Sequence, residues 1–280
     1  MLKNRSVLVS LFASALLMFF SAANVLADEA KLTVPRQPAW EIGIGLFHSD
    51  YEETDNGADS MSLKGLMGGF LVSYTHRAPY NNIMLKGELE TGVGNVDYQS
   101  PKGGSMTDID QSMGEFRGIL GYDFYVNDSV VITAYTGFGI RYLSNASGGK
   151  TATSGAPGYD RESTYYYSPI GVEVASETKN GWALAFVAEY DVFWGGEQES
   201  QLGDAYFGAG VVKNEQDSGY GLRASVKIGN KKNLPFIIEP FFRYWNIDDS
   251  DSVNVPALGI PFMEPSNETM EIGVKLYIRF

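Results

Sequence analysis

Polar and apolar residues alternate along many segments of this chain. In segment 270–280 every even position is apolar, whereas the odd positions include Glu271, Lys275 and Arg279. Segment 130–142 repeats this two-residue period. Because successive side chains of a β-strand point to opposite faces, the alternation predicts strands with one apolar and one polar face.

Ten such segments follow one another, and each has about nine or more residues, enough to cross a hydrocarbon core at the tilt of a barrel. They are rich in Tyr, Phe, Val, Ile and Gly, and no helical stripe persists. We therefore predict an all-β fold, a transmembrane antiparallel up-and-down β-barrel of about ten strands, with eight or twelve as alternatives. The predicted strands begin near Trp40, Lys64, Asn82, Gln111, Ser129, Ser163, Gly181, Gly219, Leu234 and Glu268.

The connections between these segments alternate in length. Short turns are predicted at 77–81, 126–128, 177–180 and 229–233, and long loops at 48–61, 96–110, 144–161, 195–217 and 246–266. Outer-membrane barrels have short periplasmic turns and long external loops. Pro169 and Pro240 interrupt predicted strands, where we expect bulges because proline removes a ladder hydrogen bond.

A soluble sandwich or lipocalin-like barrel is the main structural alternative, and it would bury its apolar face. Here the opposite face is densely charged, and a core of charges is unfavourable, so we predict apolar residues facing lipid and charges facing the lumen. Aromatic residues fall at both ends of the apolar faces, as interfacial anchoring requires. They are Trp40, Tyr74, Phe124, Trp182 and Phe236 at one end, and Tyr142, Tyr166, Trp194, Tyr220 and Tyr244 at the other.

The N-terminus has the pattern of a secretory signal peptide. Lys3 and Arg5 precede an apolar run over 7–20 and a small-residue tract that ends at Ala27. We predict cleavage after Ala27, a periplasmic segment 28–39 and a barrel over 40–280. The chain has no Cys, which excludes lipid attachment at a lipobox and a disulfide framework.

The signal peptide, the alternating strands and the terminal segment 275–280 resemble Gram-negative outer-membrane β-barrel proteins of the small porin-like superfamily. The resemblance implies export through the periplasm to the outer membrane, with lipid and lipopolysaccharide as surroundings. It also implies that the barrel-assembly machinery reads Leu276, Ile278 and Phe280 during insertion. It fixes no activity.

Strand parity predicts a nearly neutral set of lumen charges. Balanced charges in a narrow tube should pair, which predicts a filled lumen; a narrow passive channel for small solutes is the alternative. Inward glycines such as Gly137 and Gly139 would leave room for long side chains. The predicted acids are Glu41, Glu88, Glu90, Glu115, Asp123, Glu173, Glu189, Asp191, Glu239 and Glu271, and the bases are Lys86, Arg117, Arg141, Arg223, Lys227, Arg243, Lys275 and Arg279.

The formal charge of −13 lies mostly in the predicted external loops. This excess excludes a basic nucleic-acid footprint and suggests divalent cations, bound by the loops or bridging to lipopolysaccharide phosphates. Two loop stretches, 205–212 and 253–263, are apolar and predict either a lid over the barrel mouth or a contact surface. No cofactor motif is present in the sequence.

A rim hydrolase of the omptin type is a weaker hypothesis. His48 precedes Ser49 and Asp50, but its parity places it on the lipid face, and His76 is an interfacial aromatic on the same face. We assign no catalytic residue. The sequence thus favours a non-enzymatic outer-membrane protein whose loops contact envelope or external partners.

Overall fold

The computed structural model describes residues 39–55, 58–78, 80–178, 181–230, 234–257 and 259–280. The predicted signal peptide and residues 28–38 lie outside this part of the chain. Within it, no helix is both long and apolar enough to cross a membrane. The described part contains thirteen strands and one 3-10 turn, Leu202–Asp204.

The strands, in chain order, have the following bounds. They are β1 Ala39–Asp55, β2 Ala58–Arg77, β3 Ile83–Ser100, β4 Gly104–Asn127, β5 Val130–Ala146, β6 Arg161–Glu177, β7 Trp182–Ser200, β8 Val212–Gln216, β9 Gly219–Asn230, β10 Leu234–Ile247, β11 Val253–Val255, β12 Ile260–Phe262 and β13 Ser266–Arg279. All except β11 and β12 belong to one antiparallel sheet, and β11 and β12 pair only with each other.

The sheet closes into a barrel of ten strands, which confirms the predicted count. Neighbouring strands pair in chain order, and β13 pairs with β1 to close the ring. β8 and β9 both pair with β7 in one continuous register, from Ser200↔Val212 to Trp182↔Asn230. They are therefore two parts of a single barrel strand, interrupted at 217–218.

The periplasmic turns match the sequence prediction. β2 and β3, β4 and β5, β6 and β7, and β9 and β10 are each joined by short connections. At the seam, Trp40 N donates to Phe280 O over 2.8 Å, and Phe280 N donates to Trp40 O over 3.0 Å. The final residue thus completes the last rung of the ladder that closes the barrel.

The two strand prolines behave alike. Pro169 pairs with Asp191 of β7 in continuous register, and the ladder with β5 passes from Gly139↔Tyr167 to Thr136↔Ile170 without a shift. At Pro240 the register with β13 is continuous, and the ladder with β9 passes from Ile238↔Ile228 to Phe241↔Ser225 without a shift. The bulge between β6 and β7 lies at Tyr166/Tyr167, where β7 has the extra residue Trp194. The bulges expected at the two prolines are therefore wrong, because each strand tolerates the missing donor by omitting rungs on one side.

A belt of exposed apolar side chains surrounds the barrel. Ile44, Leu66, Val93, Ile170 and Ile272 all point outward and are more than half exposed. The predicted aromatic residues flank this belt: Trp40 packs on Tyr74, with ring centroids 4.8 Å apart, near the periplasmic end. Such a belt is stable only against hydrocarbon, so the protein is an integral outer-membrane barrel.

The strands continue well beyond the belt on the external side. Loops expected at 48–61 and 96–110 are wrong there, because β1–β2 and β3–β4 form long hairpins that reach Asp55/Ala58 and Ser100/Gly104. In this extension the alternation is inverted: polar side chains such as Asp97, Asp110 and Glu162 face outward. The interior is an apolar cluster of Phe47, Leu63, Met67, Val96, Ile109, Met113 and Phe241.

Candidate functional site: the filled lumen and its outer mouth

The inner face of the barrel carries the charged side chains that strand parity predicted. All eighteen residues make ion pairs, and most pairs cross the lumen between strands that are not neighbours. Arg141 on β5, for example, reaches Glu271 on β13 over 2.5 Å, across the full width of the ring. Paired charges therefore occupy the lumen at the level of the membrane.

Glu115 on β4 lies at the centre of this arrangement. Its two oxygens accept hydrogen bonds from Arg223 Nη1 and Nη2 over 2.7 and 2.6 Å, a bidentate geometry that fixes both groups. Arg223 Nε also donates to Asp191 Oδ2 over 2.6 Å. Tyr167 donates to Glu115 over 2.8 Å and lies under the guanidinium of Arg223.

From this centre the ion pairs extend in both directions as one network. Arg243 bonds Glu271 over 2.7 Å and Glu90 over 2.9 Å. Arg117 continues it to Glu189 and Glu88. Six acids and six bases are joined in this way, so the network is neutral: Glu88, Glu90, Glu115, Glu189, Asp191 and Glu271 with Lys86, Arg117, Arg141, Arg223, Arg243 and Lys275.

Two smaller groups lie nearer the periplasmic end. In the first, Glu41 accepts from Lys227 over 3.0 Å and from Arg279, and Lys227 lies 4.0 Å from Glu239. The second unites Asp123 and Glu173 through a residue that the sequence analysis placed in a turn.

That residue is Arg77, the last residue of β2. It points into the lumen and pairs with both Asp123 and Glu173. Its odd number gives it the same parity as the inward residues Ser73 and Leu71, a signal that would have identified it. The sequence pattern predicted that β2 ends one residue before Arg77. Arg77 was therefore left out of the predicted lumen charges.

Glycines on the inner face make room for tyrosine rings. Gly139 on β5 lies opposite Tyr167 on β6, and Gly171 on β6 lies opposite Tyr135 on β5. A Cβ atom at either glycine would overlap the facing ring. The missing side chains thus let two rings lie flat against the barrel wall, where their hydroxyls reach Glu115 and Glu189.

Cavities remain at both ends of the lumen, but they are separated. Two inner cavities of about 100 Å³ each are lined by charged residues such as Lys86, Glu173 and Lys227. Two outer cavities, of about 40 and 280 Å³, share no lining residue with them. The layer between them contains Phe47, Met67, Met113, Arg141, Tyr167, Trp245 and Glu271, all buried.

A second ion cluster lies outside the membrane, at the barrel mouth. Arg161, the first residue of β6, crosses the mouth to bond Glu53 on β1 and Glu264, which precedes β13. Burial raises the pKa of Glu264 to about 8, with Glu53 adding to the effect and Arg161 opposing it. All three residues lie in segments that were predicted to be solvated loops, because the strands were expected to end at the membrane.

The external loops are bonded to one another above this cluster. Gln201 N donates to Asp160 O over 2.9 Å, and Asn214 Nδ2 donates to Phe262 O over 3.3 Å. Leu202, Val212 and Val255 form a small buried core between the two predicted apolar stretches. These stretches therefore pack together as a cover.

The same cover also presents apolar side chains to solvent. Phe207 is fully exposed, and Tyr206 and Val211 are about half exposed. Acidic residues, among them Asp204 and Asp249, lie in the same loops. In the described part of the chain, no three His, Asp or Glu side chains converge as a metal site would need.

His48 lies on the outer surface, and this geometry offers no catalytic pairing. It faces lipid between Leu66 and Ile272 of the neighbouring strands, whereas Ser49 is buried on the opposite face of β1. The residues predicted as an assembly signal, Leu276, Ile278 and Phe280, point outward on the lipid face. Their role in assembly stays a prediction.

Comparisons with known proteins return barrels of several kinds. No protein-family profile matches the sequence, and no curated protein matches it. Among solved structures, the translocator domain of the autotransporter NalP from Neisseria meningitidis matches with a TM-score of 0.41 at 9% identity, covering 95% of this chain and 97% of that one. The toluene transporter TodX from Pseudomonas putida matches with a TM-score of 0.36 at 9% identity, covering 88% and 90%.

A third match is Neisserial surface protein A, with a TM-score of 0.34 at 9% identity, covering 86% of this chain and 99% of that one. At such low scores and identities, these likenesses assign neither a family nor an activity. The chain is similar to outer-membrane barrels, and its exposed apolar belt and buried lumen charges are features of its own structure that agree with this similarity.

Proposed function

We propose that this protein is a non-conducting, non-enzymatic outer-membrane barrel that acts through its external surface. The observation that carries the proposal is the solid layer between the inner and outer cavities. In that layer the buried ion pair between Arg141 and Glu271 adjoins the apolar cluster around Phe47 and Met67, so charged and apolar side chains together fill the lumen. The external extension is then the surface available to a partner.

The physical cost of opening such a lumen supports this proposal. A pore would need water where Arg223 now forms a bidentate pair with Glu115 and Arg141 pairs with Glu271, and leaving one buried charge without its partner costs about 3–5 kcal/mol. The apolar cluster would also have to be displaced from its packing. Thermal fluctuation of the closed state is therefore insufficient for steady conduction.

Single-channel recording of the refolded mature chain in planar bilayers tests this point. We expect no discrete current steps at moderate voltages. A narrow passive channel, the alternative, is favoured by the charged inner cavities and predicts small, regular open steps. Such steps in the wild-type protein would overturn the closed-lumen proposal.

Contact with lipopolysaccharide is the partner interaction that the outer wall supports. Just beyond the apolar belt, Glu162 on β6 and Glu199 on β7 lie directly opposite each other and face outward. Like charges in this position repel unless a cation joins them. Lys213 partly supplies that cation, with its Nζ bonded to Glu197 over 3.0 Å and to Glu199. Divalent cations shared with lipid phosphates would supply the rest.

Retention of lipopolysaccharide on the purified protein, with and without Mg²⁺, measures this contact. We expect Glu162→Gln to lower the Mg²⁺-dependent fraction that co-purifies. The control is Asp249→Asn, which removes one charge from an exposed external loop instead of the outer wall. An equal effect of both variants would show that only overall charge matters and would contradict a contact at this wall.

A further inference from the structure

We infer that the larger outer cavity is a binding site for a small, uncharged, mainly apolar molecule that carries one oxygen acceptor. The cavity has a volume of about 280 Å³ and opens beside the loop cover, above the layer that closes the lumen. This inference concerns the mouth alone and holds whether or not the lumen conducts.

The size of the cavity suits a small ring, and its walls combine apolar side chains with serine hydroxyls. Ligand pockets begin near about 300 Å³, and an apolar cavity of about 150 Å³ is enough for benzene. The walls include three methionines and two tyrosines, flexible or flat side chains that adapt to an apolar ligand. They are Met61, Met106, Met263, Tyr98 and Tyr159.

Two buried donors in the lining specify an acceptor. Asn145 on β5 and Arg161 on β6 are cross-strand partners, both about nine-tenths buried. Among the described residues, neither Asn145 Nδ2 nor Arg161 Nε has a hydrogen-bond acceptor. Both atoms are enclosed by neighbouring side chains, so a ligand oxygen pairs with them when the Asn145 or Arg161 side chain turns toward the cavity, and it then satisfies a donor that is otherwise buried without a partner.

The electrostatics of the lining favour a ligand without charge. The two carboxylates of the cluster, Glu53 and Glu264, already bond the guanidinium of Arg161, which leaves no free carboxylate for a cation. The raised pKa of Glu264 keeps it largely protonated near neutral pH, so the cluster is close to neutral. An anion would meet no net positive charge, and the surrounding loops are acidic.

Fluorine NMR with 4-fluoroacetophenone as the probe tests the inference. The protein is reconstituted in nanodiscs, and empty nanodiscs provide the partition background. We expect saturable broadening with a Kd of about 0.1–1 mM, typical of a ligand with ten heavy atoms. 4-Fluoroethylbenzene, which lacks the oxygen, should bind about tenfold more weakly because it leaves both donors unpaired.

Three variants assign the binding to this cavity. Met263→Trp fills it from the loop side and should abolish saturable binding. Asn145→Leu removes one donor and should weaken the ketone at least threefold while leaving the hydrocarbon unchanged. Val253→Trp adds the same ring on β11, outside the cavity lining, and should bind like the wild type.

Linear partitioning equal to that of empty nanodiscs would overturn the inference, as would equal binding by Met263→Trp and Val253→Trp. Because folding of each variant is checked by its mobility shift on heating in detergent, loss of the barrel is recognised separately. Conductance plays no part in this experiment, so its outcome and that of the closed-lumen test remain distinguishable.

Discussion

At the scale of single residues, the lumen depends on close contacts between a glycine, a tyrosine ring and a buried ion pair. Because Gly139 has no side chain, the ring of Tyr167 fits against the backbone there. That ring in turn contacts Arg223, which pairs with Glu115. Each of these residues depends on the others for its geometry, so adding a single methyl group should lower the free energy of unfolding measurably.

Replacement of Gly139 tests this dependence. In Gly139→Ala the new methyl group would overlap the ring of Tyr167, and we expect the free energy of unfolding to fall by about 1–3 kcal/mol, as overpacking usually costs. Urea unfolding in detergent micelles, followed by fluorescence, measures it. Gly114→Ala is the control, because no atom lies within 4 Å of its added Cβ. Equal losses in both variants would show that only strand flexibility is being measured.

The protonation of Glu264 gives a second prediction at this scale. Its pKa is about 8 in the folded protein against an ordinary 4.5, so between these values the folded chain holds a proton that the unfolded chain releases. The free energy of unfolding should therefore fall as the pH rises from 4.5 to 8. Urea titrations at several pH values should show this decline in the wild type.

In Glu264→Gln the same decline should be smaller, because the amide cannot titrate. The control is Glu268→Gln, an exposed position on the neighbouring strand β13. If Glu264→Gln and Glu268→Gln retain identical pH profiles, the buried carboxyl is not the titrating group.

At the scale of strands, the sequence was informative where one face meets lipid. The period of two in β13, with Ile272, Val274 and Leu276 outward, was enough to set register and parity. It was not enough outside the belt. There the outward positions become polar and the inward ones apolar, so β4 was predicted to begin near Gln111, whereas it begins at Gly104.

The same change of pattern explains the functional residues that were missed. Arg161, Glu53 and Glu264 lie in segments whose polarity is that of a solvated loop, and only the paired hairpins bring them together. Their partners are about 100 or more positions apart in the sequence. No local pattern encodes such a contact, whereas parity alone sufficed for the lumen charges inside the belt.

The last strand carries a prediction about assembly. Phe280 makes both backbone hydrogen bonds of the last rung of the seam, but its side chain points into lipid and is 68% exposed. In Phe280→Ala we expect refolding in detergent to be unchanged and insertion into the outer membrane of cells to fall several-fold. Membrane fractionation of cells compares the inserted amount of the variant with that of the wild type. Phe236→Ala, on the same face of the neighbouring strand β10, is the control; an equal defect there would indicate lost lipid packing.

At the scale of the whole molecule, ion pairs that cross the lumen tie together opposite sides of the ring. Glu115 is the point where three arginines meet: Arg223 at 2.6 Å, Arg243 at 3.5 Å and Arg141 at 3.9 Å. The barrel circumference is therefore braced from inside as well as hydrogen-bonded along its wall.

Removal of this central carboxylate should weaken the whole barrel. Glu115→Ala leaves the buried network with one uncompensated positive charge, and we expect the free energy of unfolding to fall by about 3–5 kcal/mol. Lys213→Ala, which breaks an exposed pair on the outer wall, should change it little. Urea midpoints in detergent compare the two variants. A loss in Glu115→Ala no larger than that in Lys213→Ala would contradict a bracing role.

The absence of Cys gives a direct test of orientation. Phe207→Cys at the loop cover should react with a membrane-impermeant maleimide on intact cells. Asp128→Cys, in the turn between β4 and β5, should react only after the outer membrane is permeabilised. Labelling in the opposite order would invert the topology.

The longest strands of the barrel far exceed the thickness of the hydrocarbon. β4 has 24 residues, which at a barrel tilt corresponds to roughly 60 Å along the axis, whereas the hydrocarbon needs only about 25 Å. Much of the remainder extends outside the membrane and encloses its own apolar cluster. Phe207 and its neighbours are consequently held well away from the hydrocarbon, at the outer end of the barrel.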